Sequence, residues 1–313
     1  MADFSIETYD RQFLEGMARV YNDETAFEPH IAPLTAERFI QLVEKKSYFD
    51  PAGLFIAVRA GRVLGWVHAC VTPGTEPWND LNAKVARIRM LIFPRESLRI
   101  GAALVQEAAA WLRRAGFQEM EAMHPYAGYP FYRGLWFGGE PMCPVSLPHV
   151  HLVLEVAGFK NTQESIFMVA RMQDAPEEAP ARIAVEFEED AAGTNHEPMH
   201  ESWSGFEPRA ARAKMNGESV CSIAWVVLPH LDRLGSPAMN IFALSTREDC
   251  RRQGIAAALV SRAMRQGHGL GCRVVSVGTQ LWNAAAHASY LKLGFTPYCI
   301  LVGRQFRSPA RTE

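Results

Sequence analysis

Two stretches of this chain repeat one another 155 residues apart, and that repeat restricts its possible architectures more than any single motif does. Setting Gly101 on Ala256 (256 − 101 = 155) brings Ile100, Ala102, Ala103, Leu104, Val105, Ala108 and Gly116 onto Ile255, Ala257, Ala258, Leu259, Val260, Ala263 and Gly271. Apolar residues recur at helical spacing in both stretches. Each stretch ends on a glycine, the residue that most easily takes the left-handed backbone of a helix C-cap. Alanine-rich helices converge on such patterns, but here the strands expected on either side keep the same register, which favours a duplication. The 313 residues suit two units of about 150 each.

The order of elements agrees. Upstream, the spacing predicts helices over 10–22 and 35–46, then strands over 54–59, 63–71 and 87–93. A helix over 101–115 and a strand over 117–123 follow. Downstream come strands over 182–188, 219–228 and 239–245, a helix over 254–266, a strand over 273–277, a helix over 284–293 and a strand over 297–302. Strand and helix alternate, so the expected class is α/β (α+β), each half a mixed, partly parallel sheet flanked by helices. Gln173-Asp-Ala-Pro-Glu-Glu-Ala-Pro180, with two prolines and three acids, reads as an exposed connector. The expected division is a first domain over 1–172, a linker over 173–181 and a second domain over 182–313.

Charge narrows the partners. Thirty-two basic residues nearly balance thirty-four acidic ones, so neither a nucleic-acid nor a membrane-surface footprint is expected. No apolar run approaches the ~18 residues of a membrane span. The opening MADFSIETYD has neither the basic nor the apolar region of a secretory leader. Six scattered cysteines without a Cys-x-x-Cys pair suit a reducing compartment. A cytoplasmic protein, monomer or homodimer, is expected.

Chemistry concentrates after residue 239. A strand enters a short basic turn, Arg251-Arg252-Gln253-Gly254, and a helix begins at once. The first amides of a helix lack internal partners and carry the positive end of its dipole, so a phosphate is their natural guest. Gly254 permits close backbone approach and Ala256 is small. The turn is neither a Walker loop nor a dinucleotide-binding glycine turn.

Arg251-x-x-Gly254-x-Ala256 resembles the Q/R-x-x-G-x-G/A pyrophosphate loop of the GNAT acetyltransferase superfamily, whose later Asn, Tyr and Gly-Phe signature is matched by Asn283, Tyr290 and Gly294-Phe295. The close match spans about 60 residues. The resemblance implies two tandem GNAT-like domains, the second an acetyl-CoA-dependent N-acetyltransferase acting on an amine of a small molecule or peptide. It further implies that Arg251, Arg252, Gln253, Gly254, Ile255, Ala256 and Ala257 hold the CoA pyrophosphate. Ala243, Leu244 and Ser245 would pair with the pantetheine amides as a strand edge does. Asn283 would contact the cofactor arm, although an asparagine there also reads as a helix N-cap. Tyr290 would protonate the leaving thiolate, although it also reads as a half-buried packing aromatic.

Two departures stand out. No acid lies on 239–246 to serve as a base, and Glu218 and Asp232 are the nearest upstream. Only one strong strand is visible between 188 and 239, where the family usually has two helices and a hairpin, so the acceptor side of the second half is either trimmed or completed by the first. The first copy is degenerate: Glu96 replaces Arg251, Arg99 replaces Gly254, and Tyr132-Arg-Gly-Leu-Trp-Phe137 echoes Tyr290-Leu-Lys-Leu-Gly-Phe295 without a preceding Asn. Tandem members of the superfamily, mycothiol synthase among them, show a similar plan of one working and one structural half.

Other motifs read as structural. His196-Glu-Pro-Met-His200 spells a zinc-protease motif, but Pro198 breaks the helix that motif needs. His149 and His151 lack ligand partners, and the aromatic run 126–137 reads as packing. A non-catalytic CoA-binding or scaffold protein is the alternative reading of the whole.

Overall fold

The computed structural model describes residues 3–73, 84–124, 131–173, 177–190, 203, 205–229, 233 and 235–307. The first half contains β1 (Ser5–Thr8), α1 (Leu14–Thr25), α2 (Ala36–Phe39), β2 (Leu54–Arg59), β3 (Arg62–Pro73), β4 (Lys84–Ile92), α3 (Leu98–Arg114), β5 (Met120–Ala122), β6 (Cys143–Pro144), α4 (Pro148–Val156) and β7 (Lys160–Arg171). The second contains β8 (Glu186–Asp190), β9 (Arg209–Met215), β10 (Glu218–Leu228), β11 (Ala238–Thr246), α5 (Ile255–Gly269), β12 (Val274–Gln280), α6 (Ala284–Lys292) and β13 (Thr296–Phe306).

All the described strands belong to one sheet, ordered β1-β2-β3-β4-β5-β13-β7-β12-β11-β10-β9-β8, with β6 alongside β13. The order is a near palindrome. Strands of the first half run inward from one edge and strands of the second run inward from the other. At the centre the last strands are exchanged: β13 lies between β5 and β7, and β7 lies between β13 and β12. Arg304 of β13 reaches across to the first half, donating to Glu155 Oε2 at 2.6 Å and to the Phe159 carbonyl at 3.1 Å. The pairs β4–β5 and β11–β12 are parallel, and each is bridged by a helix, α3 or α5, as a parallel pair requires.

Two apolar clusters fill the layers beside the sheet. The larger gathers α1, α3 and α4 onto β2–β5 and is anchored by Trp66, whose Nε1 donates to the Met17 carbonyl at 3.2 Å. The smaller packs Leu259, Val260, Ala263 and Met264 of α5, with Tyr290 of α6, onto Met239, Ile241, Val275 and Val277. Among the described residues no helix is long and apolar enough to cross a membrane.

The hairpin missing from the sequence reading of the second half is present as β9–β10, joined by Asn216-Gly217 at φ 53° and 82°. That left-handed pair makes the turn a two-residue hairpin connection. The motif His196–His200, Asp232, Tyr126 and part of the linker (174–176) lie outside the described residues.

Candidate active site

The basic turn forms a concave row of amides. After β11, a 3-10 turn at Glu248–Cys250 is braced by Arg247, whose Nε donates to Asp249 Oδ1 at 2.7 Å and whose guanidinium also reaches Glu218 Oε2 at 3.0 Å. Arg251 is then extended, Arg252 left-handed (φ 63°), and Gly254 left-handed (φ 79°) directly before α5. Alternating backbone handedness turns successive N–H groups toward one point, an anion-binding concavity. The amide of Ala258 is bonded to the Gly254 carbonyl at 3.0 Å, and no side chain caps the helix. The amides of Ile255 to Ala257, which precede that first helical bond, point out along the helix dipole.

Gly254 meets a further constraint. The linker's Pro180 carbonyl stands 2.9 Å from where a Cβ would sit, and the Arg182 amide donates to the Gln253 carbonyl at 2.7 Å. The close approach that only glycine permits here is to this chain's own backbone.

An open slot leads to that turn. β11 and β12 pair only from Ala238↔Val274 to Ile241↔Val277. The β10–β11 ladder passes from Ala224↔Ala243 to Trp225↔Ile241, so Phe242 is a bulge residue, and a bulge bends and twists its strand. Beyond it β12 continues along β7 through Gly278, Thr279 and Gln280, while Ala243, Leu244 and Ser245 stay paired with β10 alone. Their other edge faces the gap and can accept an extended amide chain.

Asn283 and Tyr290 stand beside the slot. Asn283 caps α6, its Oδ1 accepting from the Ala286 amide at 3.2 Å, and its amide nitrogen remains as a donor. Tyr290 is 4% exposed and packs on Phe295 at 5.3 Å between ring centres. Burial pushes its hydroxyl up to about 12, with Cys221 adding to the effect, so it keeps its proton at neutral pH. The Phe295 amide bonds to the Tyr290 carbonyl at 3.0 Å behind Gly294 (φ 83°), which explains the Tyr-to-Gly-Phe spacing as a helix stop. Glu218 is exposed and engaged by Arg247, away from the slot.

The first half has the same split, but its own chain fills it. β4 and β5 pair only at Arg87↔Glu121 and Ile88↔Ala122, and Arg89 is the bulge residue that follows. Arg89, 1% exposed, donates to the carbonyls of Pro141 (3.1 Å) and Phe131 (3.2 Å), and burial pulls its pKa down to about 10. No described residue between Arg62 and Ala115 is left-handed, so the turn into α3 makes no amide concavity, and Gly101 lies beneath the Phe93 ring.

The structure also corrects the proposed echo at Tyr132–Phe137. The helix stop equivalent to Phe295→Tyr290 is Phe159→Leu154, also at 3.0 Å, so Leu154 stands opposite Tyr290 (290 − 154 = 136). Leu147 stands opposite Asn283 by the same offset, and the first half thus lacks both the hydroxyl and the amide. The change of offset, 155 − 136 = 19 residues, is an insert between β5 and α4.

That insert crosses to the second half. Gly138 (φ 66°) lies against the Asn240 side chain, Gly139 against Trp203 and Asn240, and Gly134 against Phe206. The Trp203 ring lies 4.8 Å from that of Phe242, tilted by 35°, and the Arg133 guanidinium sits over the Trp203 ring at 5.2 Å. Residues 131–142 thereby cover the face of β11–β12 opposite α5. Asn240, 1% exposed, donates to Ser276 Oγ at 3.0 Å. Glu140 is half-buried with its carboxylate against Gly278, so close that a Cβ there would overlap Oε1. Burial raises its pKa, with Arg133 opposing. Sequence reasoning missed Glu140 because it sits in the other half of the chain; the available signal was that it is the sole acid between Glu121 and Glu155.

The model of the Acetyltransferase (GNAT) family matches residues 174–295. Among solved structures, a GCN5-related N-acetyltransferase from Sphaerobacter thermophilus aligns with 97% of this chain and 96% of its own at TM-score 0.66 and 14% identity. A tandem GNAT protein from the clavulanic acid biosynthesis pathway aligns over 98% and 99%, at TM-score 0.66 and 14% identity. A glucosamine N-acetyltransferase region of a fungal multi-domain β-N-acetylglucosaminidase covers 98% of this chain and 38% of that one, at TM-score 0.70 and 13% identity. No curated protein matches by sequence. Residues 174–295 are thus a domain of the GNAT acetyltransferase family, a family of acyl transfer, within a chain whose whole length has the tandem GNAT fold.

Proposed function

We propose that the second half is an acetyl-CoA-dependent N-acetyltransferase for an amine of a small molecule or peptide, and that the first half takes no cofactor. The observation that carries this reading is the continuity of the second-half slot. Its open strand edge at Ala243, Leu244 and Ser245 runs into the amide concavity of Arg251 to Ala257, so one extended ligand with a pyrophosphate at one end meets complementary groups along its length. Such a ligand brings the activated thioester; the chain supplies binding, orientation and protons. Ala243, Leu244 and Ser245 would hold the pantetheine amides, the loop amides with Arg251 and Arg252 would hold the pyrophosphate, and Asn283 would use its free amide nitrogen on the arm. Tyr290, protonated at neutral pH, would give its proton to the departing sulfur.

Two of the structural relatives are named N-acetyltransferases, one of them for glucosamine, and support N-acetyl transfer as the chemistry. Thiol release from acetyl-CoA over a panel of primary amines tests the reading. Amine-dependent release is the expected result. CoA binding without release to any amine would leave the non-catalytic scaffold reading in its place. A cytoplasmic location follows from the same reading, since acetyl-CoA is a cytoplasmic metabolite.

A further inference from the structure

We propose that Glu140, carried by the first half of the chain, accepts the proton of the amine acetylated in the second half, and that residues 131–142 form one wall of the pocket for that amine. This rests on the transferase reading above and adds to it the missing base and the side from which the acceptor enters.

Position is the first argument. Gly278 is the first residue of β12 beyond the last β11–β12 rung, Ile241↔Val277, so it borders the mouth of the slot. The Glu140 carboxylate lies on it. Side chains alternate along a strand, so Ser276 and Gly278 share one face while Val275 and Val277 take the other. Val275 and Val277 pack with α5 and Tyr290, whereas Ser276 and its partner Asn240 face the insert. Glu140 and Tyr290 therefore approach the slot from opposite faces, as a base serving the nucleophile and an acid serving the leaving group need to.

Availability is the second. Among the described residues no hydrogen bond or ion pair holds the Glu140 carboxylate. Arg133, the charged side chain facing it, donates to the Gly139 carbonyl. The insert is itself fixed: Trp136 Nε1 donates to the Met142 carbonyl at 2.8 Å, and Arg89 holds the carbonyls of Phe131 and Pro141. A rigid strap thus presents at the slot a carboxylate that no described residue engages. Its raised pKa brings it nearer the pH at which an ammonium must lose its proton, which makes it a better acceptor than an ordinary surface glutamate.

The protons balance. The Glu140 carboxylate takes one from the ammonium, and the freed nitrogen pair forms the C–N bond to the acetyl carbon. The C–S bond breaks with its electrons on sulfur, which takes the Tyr290 proton. The second proton released by nitrogen restores the tyrosine, and the carboxyl proton passes to solvent.

Glu140→Gln keeps the shape and removes the base. The expected result is a ~100- to 10,000-fold loss in kcat/KM with acetyl-CoA affinity and melting temperature unchanged. The acid limb of the wild-type pH profile should vanish. An acceptor whose own pKa lies below the assay pH, arriving already neutral, should lose far less. A variant with the wild-type rate and pH profile overturns the assignment, as does an equal loss for neutral and protonated acceptors, which would mark Glu140 as structural. An active wild type with an indifferent variant defeats this inference alone. A wild type that binds CoA and acetylates no amine defeats the transferase reading and this one with it.

Discussion

At Gly254 a left-handed φ of 79° coincides with a carbonyl, Pro180 O, 2.9 Å from the position of a Cβ. Any substitution there disturbs linker and loop together, so loss of CoA binding on Gly254→Glu would mix two causes. Arg251 separates them. Its side chain is 62% exposed, Glu248 is 4.0 Å away and its Nε donates to the Thr246 carbonyl at 3.3 Å, so Arg251→Glu removes attraction for a pyrophosphate at the cost of one exposed hydrogen bond and no buried packing. We expect acetyl-CoA affinity to fall about tenfold, equivalent to about 1.4 kcal/mol, at unchanged melting temperature. Equal affinities by calorimetry would take the pyrophosphate away from this loop. Tyr290→Phe removes only a hydroxyl from a residue whose ring packs on Phe295. Turnover should drop ~100-fold or more with CoA affinity intact. An unchanged turnover number, measured where chemistry limits the rate, would make Tyr290 a packing residue.

Among the elements, β11, the turn and α5 were legible in the sequence because their chemistry is local: a strand, a basic glycine turn and a helix start within about 30 residues. The β9 strand was not. Arg209-Ala-Ala-Arg-Ala-Lys-Met215 has the composition of a helix, and it is a strand because β8 and β10 pair with it on both sides. The Asn216-Gly217 turn was its one local signal. The exchange of β7 and β13 was also invisible, since which strand lies beside which is a long-range outcome that neither strand's own pattern specifies. For the same reason Tyr132 was matched to Tyr290 by local likeness, although the insert had already shifted the register. The exchange has a thermodynamic consequence. With β13 bonded to β5 and β7 bonded to β12, neither half can unfold and leave the other's sheet whole. Calorimetry should give one transition with calorimetric and van't Hoff enthalpies equal. Two resolved transitions would mean that the halves are independent despite the shared strands.

Across the whole molecule, the duplicated split has been put to different uses. In the second half it stays open at Ala243, Leu244 and Ser245 and leads to outward-pointing amides. In the first half Arg89 and the insert's own carbonyls fill it, no left-handed residue is found in the described turn before α3, and Leu147 and Leu154 occupy the positions of Asn283 and Tyr290. The insert that closes one slot lines the other, so under the proposed function the first half serves the second without a cofactor of its own. Native mass spectrometry of the intact chain titrated with acetyl-CoA tests this division most directly. The account predicts one bound molecule per chain, its affinity reduced by Arg251→Glu and unaffected by Arg99→Glu. Two molecules bound with similar affinity, or one whose binding responds to Arg99 and not to Arg251, would contradict it.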